Sequence, residues 1–198
     1  MQIALQEHLD RLRVLHPRLC PRQVIGVRMA RLACNHFAID PVMQRKQLFV
    51  YMEMGRCVAD GVIMVTGASP TNYMMKLVDY GKVAATFVDL RCGDALRICE
   101  HPDSRHQAMQ MIPGIDVWEA QLAAYQVMPD NRLLRWEPVC LIEPLPQIND
   151  KYSVICQQCQ ARVHEHAHVL IDAMPMCKAC AYGSYYIPAE SIEKRERG

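Results

Sequence analysis

Cys156, Cys159, Cys177 and Cys180 are spaced C-x2-C, seventeen residues, C-x2-C. This spacing constrains the fold of the last quarter of the chain more than any other feature. Four thiolates so placed can close a tetrahedron around one zinc ion, each pair supplying one edge from a tight turn. Two disulfides or a redox C-x-x-C are the competing readings. The N-terminus has no signal-peptide pattern that would point to an oxidising compartment, and no βαβ pattern surrounds either pair, so one structural zinc is expected. Four protein sulfurs fill the shell of the metal and leave no position for water or substrate. Such a zinc builds structure and performs no chemistry.

The 48 residues from Lys151 to Gly198 are too few to rely on a hydrophobic core alone, which is where a structural metal is recruited. The whole chain, at 198 residues and 51% hydrophobic, has room for one full domain plus this appendage. Glu143-Pro144-Leu145-Pro146 reads as a stiff linker, giving a core domain over 1–146 and a finger over 151–198. Charge is balanced, 22 basic residues against 21 acidic, so no basic field steers nucleic acid. Four thiolates and a divalent zinc take the finger's formal charge from +1 to −1, which argues against a DNA-binding finger. Glu7, Asp10, Arg11 and Arg13 interrupt the first apolar residues, so neither a signal peptide nor a membrane span is expected there. A cytoplasmic protein with free thiols is expected, and the thirteen methionines read as adaptable core filling.

Periodicity predicts an α+β core, with helices packed on a small β-sheet. Helices are expected over 2–15, from Pro21 to before Pro41, over Cys57–Thr66 with Gly67 as its stop, over Ser104–Met111 and over Ile115–Val127. Strands are expected over Gln47–Met54, Val83–Val88, Ala95–Glu100 and Leu133–Ile142, the middle two joined as a hairpin through Arg91-Cys92-Gly93-Asp94.

Chemistry is sought in the first half. Cys20 directly precedes Pro21 and the second helix, and Cys57 opens the third, so unpaired N–H groups and the positive helix end should favour each thiolate. His16, four residues before Cys20, could supply a ligand or a base. The plain alternative is that both cysteines are small residues at crowded helix starts and that Asp60 satisfies first-turn N–H groups.

These residues carry a resemblance. His16-Pro-Arg-Leu-Cys20-Pro21 followed by Gly26-Val-Arg28-Met-Ala30 resembles the H-G-H-x-C-P-G…G-x-R-x-A opening of the E-subunit family of formylmethanofuran dehydrogenase. Glu53-Met-Gly-Arg-Cys57-Val-Ala-Asp60 is similar to its E-x-x-x-C-x-x-D, Val65-Thr66-Gly67 to its V/L-T-G, and Asp79-Tyr80-Gly81-Lys82 to its D-Y-G-K. Some members also carry a C-terminal treble-clef finger. The resemblance implies a cleft lined by His16, Cys20, Cys57, Asp60 and Lys82, and a homodimer. Two positions depart: the family's second histidine is Arg18 here, and the cysteine after T-G is Ala68. Losing two metal ligands and gaining a guanidinium favours an anion in the cleft, because Arg presents a fixed fork to carboxylate or phosphate.

The complex that this family serves reduces carbon dioxide onto methanofuran at a molybdenum or tungsten pterin centre held by other, larger polypeptides. The chain shows no pterin-scale domain, no Walker A loop, no G-x-G-x-x-G after a strand, no H-E-x-x-H on an expected helix and no G-x-S-x-G. The expectation is an accessory or metal-handling protein with a metal or small anion in its core cleft. The alternatives are an enzyme using Cys57 or Cys20 as nucleophile with Lys82 or His16 assisting, and a regulatory module built on the finger. His164, His166 and His168 alternate along an expected strand, where three imidazoles on one face could bind a second metal; a solvated, functionless face is the plainer reading.

Overall fold

A computed structural model of the chain describes residues 4–16, 18–41, 43–44, 46–145, 152–164 and 167–187. The elements are α1 (Leu5–Leu15), α2 (Pro21–His36), β1 (Leu48–Met52), α3 (Cys57–Thr66), β2 (Met75–Leu77), β3 (Ala84–Asp89), β4 (Ala95–Glu100), α4 (Ser104–Met111), α5 (Val117–Val127), α6 (Asp130–Leu133) and β5 (Leu134–Val139). After the linker come β6 (Ser153–Ile155), β7 (Arg162–His164), β8 (His168–Ile171), β9 (Met174–Cys177) and α7 (Lys178–Tyr182). The chain divides into two compact units, 1–146 and 147–198.

In the first unit the sheet runs β2-β1-β3-β4-β5, with β1 and β2 parallel and every other neighbour antiparallel. Helix α3 is the crossover between the parallel pair. Val50, Phe87 and Leu96 lie side by side across three strands and face the helices. With Met52, Ile98, Val24, Val27, Met29 and Val62 they form one core of wholly buried side chains. The reverse face carries a smaller cluster, Phe49, Val88 and Ala95, covered by Leu141 and Leu145 as the chain leaves β5. Glu53, just past β1, and Arg97 on β4 form a bidentate ion pair of 2.6 and 2.9 Å, so this carboxylate serves structure. Pro138 sits on β5, an edge strand, where its missing N–H costs least.

The expected elements are present, with shifted ends. Asp116 accepts the Trp118 amide at 2.8 Å and starts α5 at Val117 instead of Ile115. Strand β2 falls where the sequence reads as loop; three residues following a 3-10 turn at Pro70–Asn72 show no period, and only pairing with β1 makes them a strand. Among the described residues, no helix is long and apolar enough to cross a membrane.

The second unit has two separate hairpins, β6-β7 and β8-β9, followed by the short α7. His164 pairs with Ser153 in the first hairpin and His168 with Cys177 in the second, so the expected single strand is broken. Between the two hairpins the Ala167 amide donates to the His164 carbonyl at 3.0 Å. His166 lies outside the described residues.

Candidate functional site

Two glycines decide where the core cysteines meet. A Cβ on Gly26 would overlap the Val58 carbonyl oxygen, and a Cβ on Gly61 the Gln23 carbonyl oxygen, so α2 and α3 cross in backbone contact that only glycine permits. Gly26 stands six residues beyond Cys20 and Gly61 four beyond Cys57, about 9 Å and 6 Å along the two helices. A crossing so near both starts brings the two cysteines together. Gln23 Oε1 accepts the Cys20 amide at 2.8 Å and fixes the first turn of α2. Arg28 donates to the Tyr125 and Met128 carbonyls at 2.9 and 2.7 Å and pairs with Asp130, tying α2 to the C-terminal end of α5. Thr66 Oγ1 donates back to the Val62 carbonyl and accepts the Ala68 amide, while Gly67 takes the left-handed φ of 68° that ends α3.

The result is a run of four neighbouring groups. His16, at the end of α1, places Nε2 3.2 Å from Asp60 Oδ2. The Asp60 charge and the Cys20 thiol both act on Cys57. Burial pushes the Cys57 thiol above its ordinary range, with Cys20 and Asp60 pushing the same way against one backbone hydrogen bond. That corrects the sequence expectation for Cys57, since the helix start does not outweigh desolvation and a neighbouring thiol. Cys34, wholly buried on α2, is pushed up by burial to about 12 and is an inert core residue.

The other two cleft residues point to other neighbours. The Arg18 guanidinium stacks 4.5 Å from the centre of the Trp118 ring, and exposed Lys82 places its ammonium 5.9 Å from the Tyr80 ring. Neither is joined by a hydrogen bond or ion pair to His16, Cys20, Cys57 or Asp60 among the described residues. Ala68 is wholly buried. Trp118 gave no signal in the sequence, because its role depends on α5 lying beside the start of α2.

The four cysteines of the second unit stand closer together. Among the described residues they are the group of three or more His, Cys, Asp or Glu whose ligand atoms all lie within 4.8 Å of one another. The Cys159 and Cys177 sulfurs are 3.9 Å apart, against about 3.8 Å for two corners of a tetrahedron with metal–sulfur bonds near 2.3 Å. Cys156 Sγ accepts the Cys177 amide at 3.3 Å, and Cys177 Sγ, at the start of α7, accepts the Cys180 amide at 3.4 Å. Amides of Cys159 and Cys177 draw the Cys156 thiol down to about 6, whereas hydrogen bonds from the Cys180 thiol to Cys177 and Cys159 push Cys180 up to about 12. One thiolate is therefore stabilised and the next resisted, a balance that a dication would relieve. This cluster can hold a metal ion.

A family model described as "FmdE, Molybdenum formylmethanofuran dehydrogenase operon" matches residues 15–135. Among solved structures, the chain is similar to an FmdE-like protein of the tungsten formylmethanofuran dehydrogenase type from Syntrophus aciditrophicus. The two are 19% identical, with a TM-score of 0.56 over 93% of this chain and 96% of that one. That likeness shows the α+β fold. No curated protein matches the sequence. The family match spans more than half of the chain and encloses His16, Cys20, Cys57, Asp60 and Lys82. The chain belongs to the FmdE family.

Proposed function

We propose that this protein is an accessory, metal-handling member of the molybdenum or tungsten formylmethanofuran dehydrogenase system, with an open metal site in the core and a closed zinc site in the finger. The observation that carries the reading is the His16–Asp60 contact beside the Cys20–Cys57 pair. A carboxylate on one imidazole nitrogen orients the ring and leaves the other, His16 Nδ1, for a metal. His16, Cys20 and Cys57 then offer one nitrogen and two sulfurs with a coordination position to spare, as sites that exchange or present a ligand require. In the finger, two hairpins and a helix capped by Cys177 support zinc in a treble clef. Free thiols suit a reducing cytoplasm. The family's association with the enzyme supports docking onto its larger polypeptides, and the same reading includes a homodimer.

The raised Cys57 thiol argues against the nucleophile alternative, because an activated cysteine needs the opposite shift. Metal content of anaerobically purified protein tests the proposal. Two metals per chain are expected for the wild type and one for Cys20→Ala/Cys57→Ala. One in both would sink the core site.

A further inference from the structure

Beside the cysteine cluster lies a groove of about 570 Å³, within the range that holds a small organic ligand. Its lining includes Cys20 just before α2 and Arg22 from α2, His101 and Arg105 from the segment entering α4 and from α4 itself, and Trp118 and Gln121 from α5. Pro21, Ile25 and Pro102 add apolar wall.

Cationic side chains outnumber acidic ones in the groove. Arg22 and Arg105 line it, and Arg18 lies on the Trp118 ring. Among the described residues no carboxylate pairs with any of the three. Glu100 is the lining carboxylate, and its needs are met inside the protein: Oε1 accepts from Ser104 Oγ at 2.7 Å and from the Tyr125 hydroxyl at 3.2 Å. Gln121 donates to that same hydroxyl at 2.9 Å. Tyr125 and Ser104 are wholly or almost wholly buried, so the polar wall is fixed before a ligand arrives. His101 Nδ1 accepts the Asp103 amide at 3.1 Å, which makes the neutral ring an Nε2–H donor; the Asp103 carboxylate, 4.0 Å from Nδ1, is mostly exposed.

We infer that this groove binds a small organic anion, its apolar body against Pro21, Ile25 and Trp118 and its carboxylate or phosphate held by Arg22 and Arg105. One end of the ligand then reaches the Cys20 thiol, the residue shared with the metal cluster. The inference deepens the proposed function and rests on that cluster being the working end of the site.

Calorimetric titration of the full-length, metal-replete protein with phenyl phosphate and with benzoate tests it, with neutral benzamide as the shape control. Saturable binding of at least one anion is expected, and the tighter of the two identifies the headgroup. Removing both guanidiniums in Arg22→Ala/Arg105→Ala should weaken binding about tenfold to a hundredfold, the value of charge-assisted hydrogen bonds. Both side chains are exposed, and the single reversal Arg105→Glu should act in the same direction if the double variant folds poorly. Binding of neither anion, equal binding of benzamide, or affinity indifferent to the arginines would overturn the inference. Anion binding in a wild type that, like Cys20→Ala/Cys57→Ala, carries only one metal per chain would overturn the metal reading and leave the groove standing.

Discussion

The two units of this chain are held together by different physics. Over residues 152–187 the single buried residue among those described is Cys156, a ligand of the cysteine cluster. In the first unit, Leu9, Val24, Ile25, Met29, Phe49, Phe87, Leu96, Ile98 and Tyr125 are all at most 1% exposed. Each such side chain contributes roughly 1.5–3 kcal/mol by leaving water. The finger's strands are three or four residues long, and isolated hairpins of that size are marginal at best. One unit can therefore fold by burial. The other lacks such a core, and a metal bridging its four sulfurs would supply what burial does not; a shell closed in that way would have nothing left to offer a substrate, whereas the thiols of the core would.

Metal removal is the strongest test of that contrast. A structural zinc site of this kind is worth on the order of 10–16 kcal/mol, more than so small a unit has from any other source. Chelation, or Cys156→Ser, should collapse the amide spectrum of residues 152–187 while the resonances of the first unit and its unfolding midpoint stay in place. Loss of both units together would show that the finger also supports the core.

Gly61→Ala should do the reverse. Its Cβ would meet the Gln23 carbonyl oxygen and lie 2.7 Å from the Val27 amide nitrogen, both backbone atoms that cannot swing away. Overpacking at such a crossing costs about 3 kcal/mol or more and forces α2 and α3 apart. Urea unfolding should show the first unit weakened, metal content should fall at the Cys20–Cys57 cluster, and the finger should be untouched. A variant of unchanged stability would mean that the crossing is looser than backbone contact.

Much of this was legible in residue order, and the failures have a common cause. The Cys156–Cys180 spacing named its own cluster because both ligand pairs are local. Helix α3 was readable at both ends, from Cys57 and Gly67. Gly26 and Gly61 stood inside expected helices, but nothing in either helix alone says that the other will press against it. The roles of Glu53 and Arg28 are similarly long-range: one meets Arg97 across the sheet, the other reaches the last carbonyls of α5. Trp118 enters the groove through a helix almost a hundred residues after Cys20. At Cys57 the helix start misleads for the same reason, since burial and the Cys20 neighbour are tertiary facts.

Acid should loosen the two units by separate routes, with the smaller effect in the core. His8 on α1 is 4% exposed, and its Nδ1 makes no hydrogen bond among the described residues. Burial, then Arg31 and Arg11, lower its affinity for a proton below the usual histidine range, against a weaker pull from Glu7. Above about pH 6.5 the ring is neutral folded or unfolded, and His8 contributes no pH dependence. As the pH falls below that value the unfolded chain takes up a proton that the fold resists, so stability declines until the folded ring also protonates. Between about pH 7.5 and 5 the urea midpoint of the first unit should fall further in the wild type than in His8→Leu, which has no ring to charge. The finger should respond to the same acid by releasing metal, as its thiolates protonate, with or without His8. Equal acid sensitivity of the first unit in wild type and variant would remove His8 from the account and leave the core's acid response to its carboxylates.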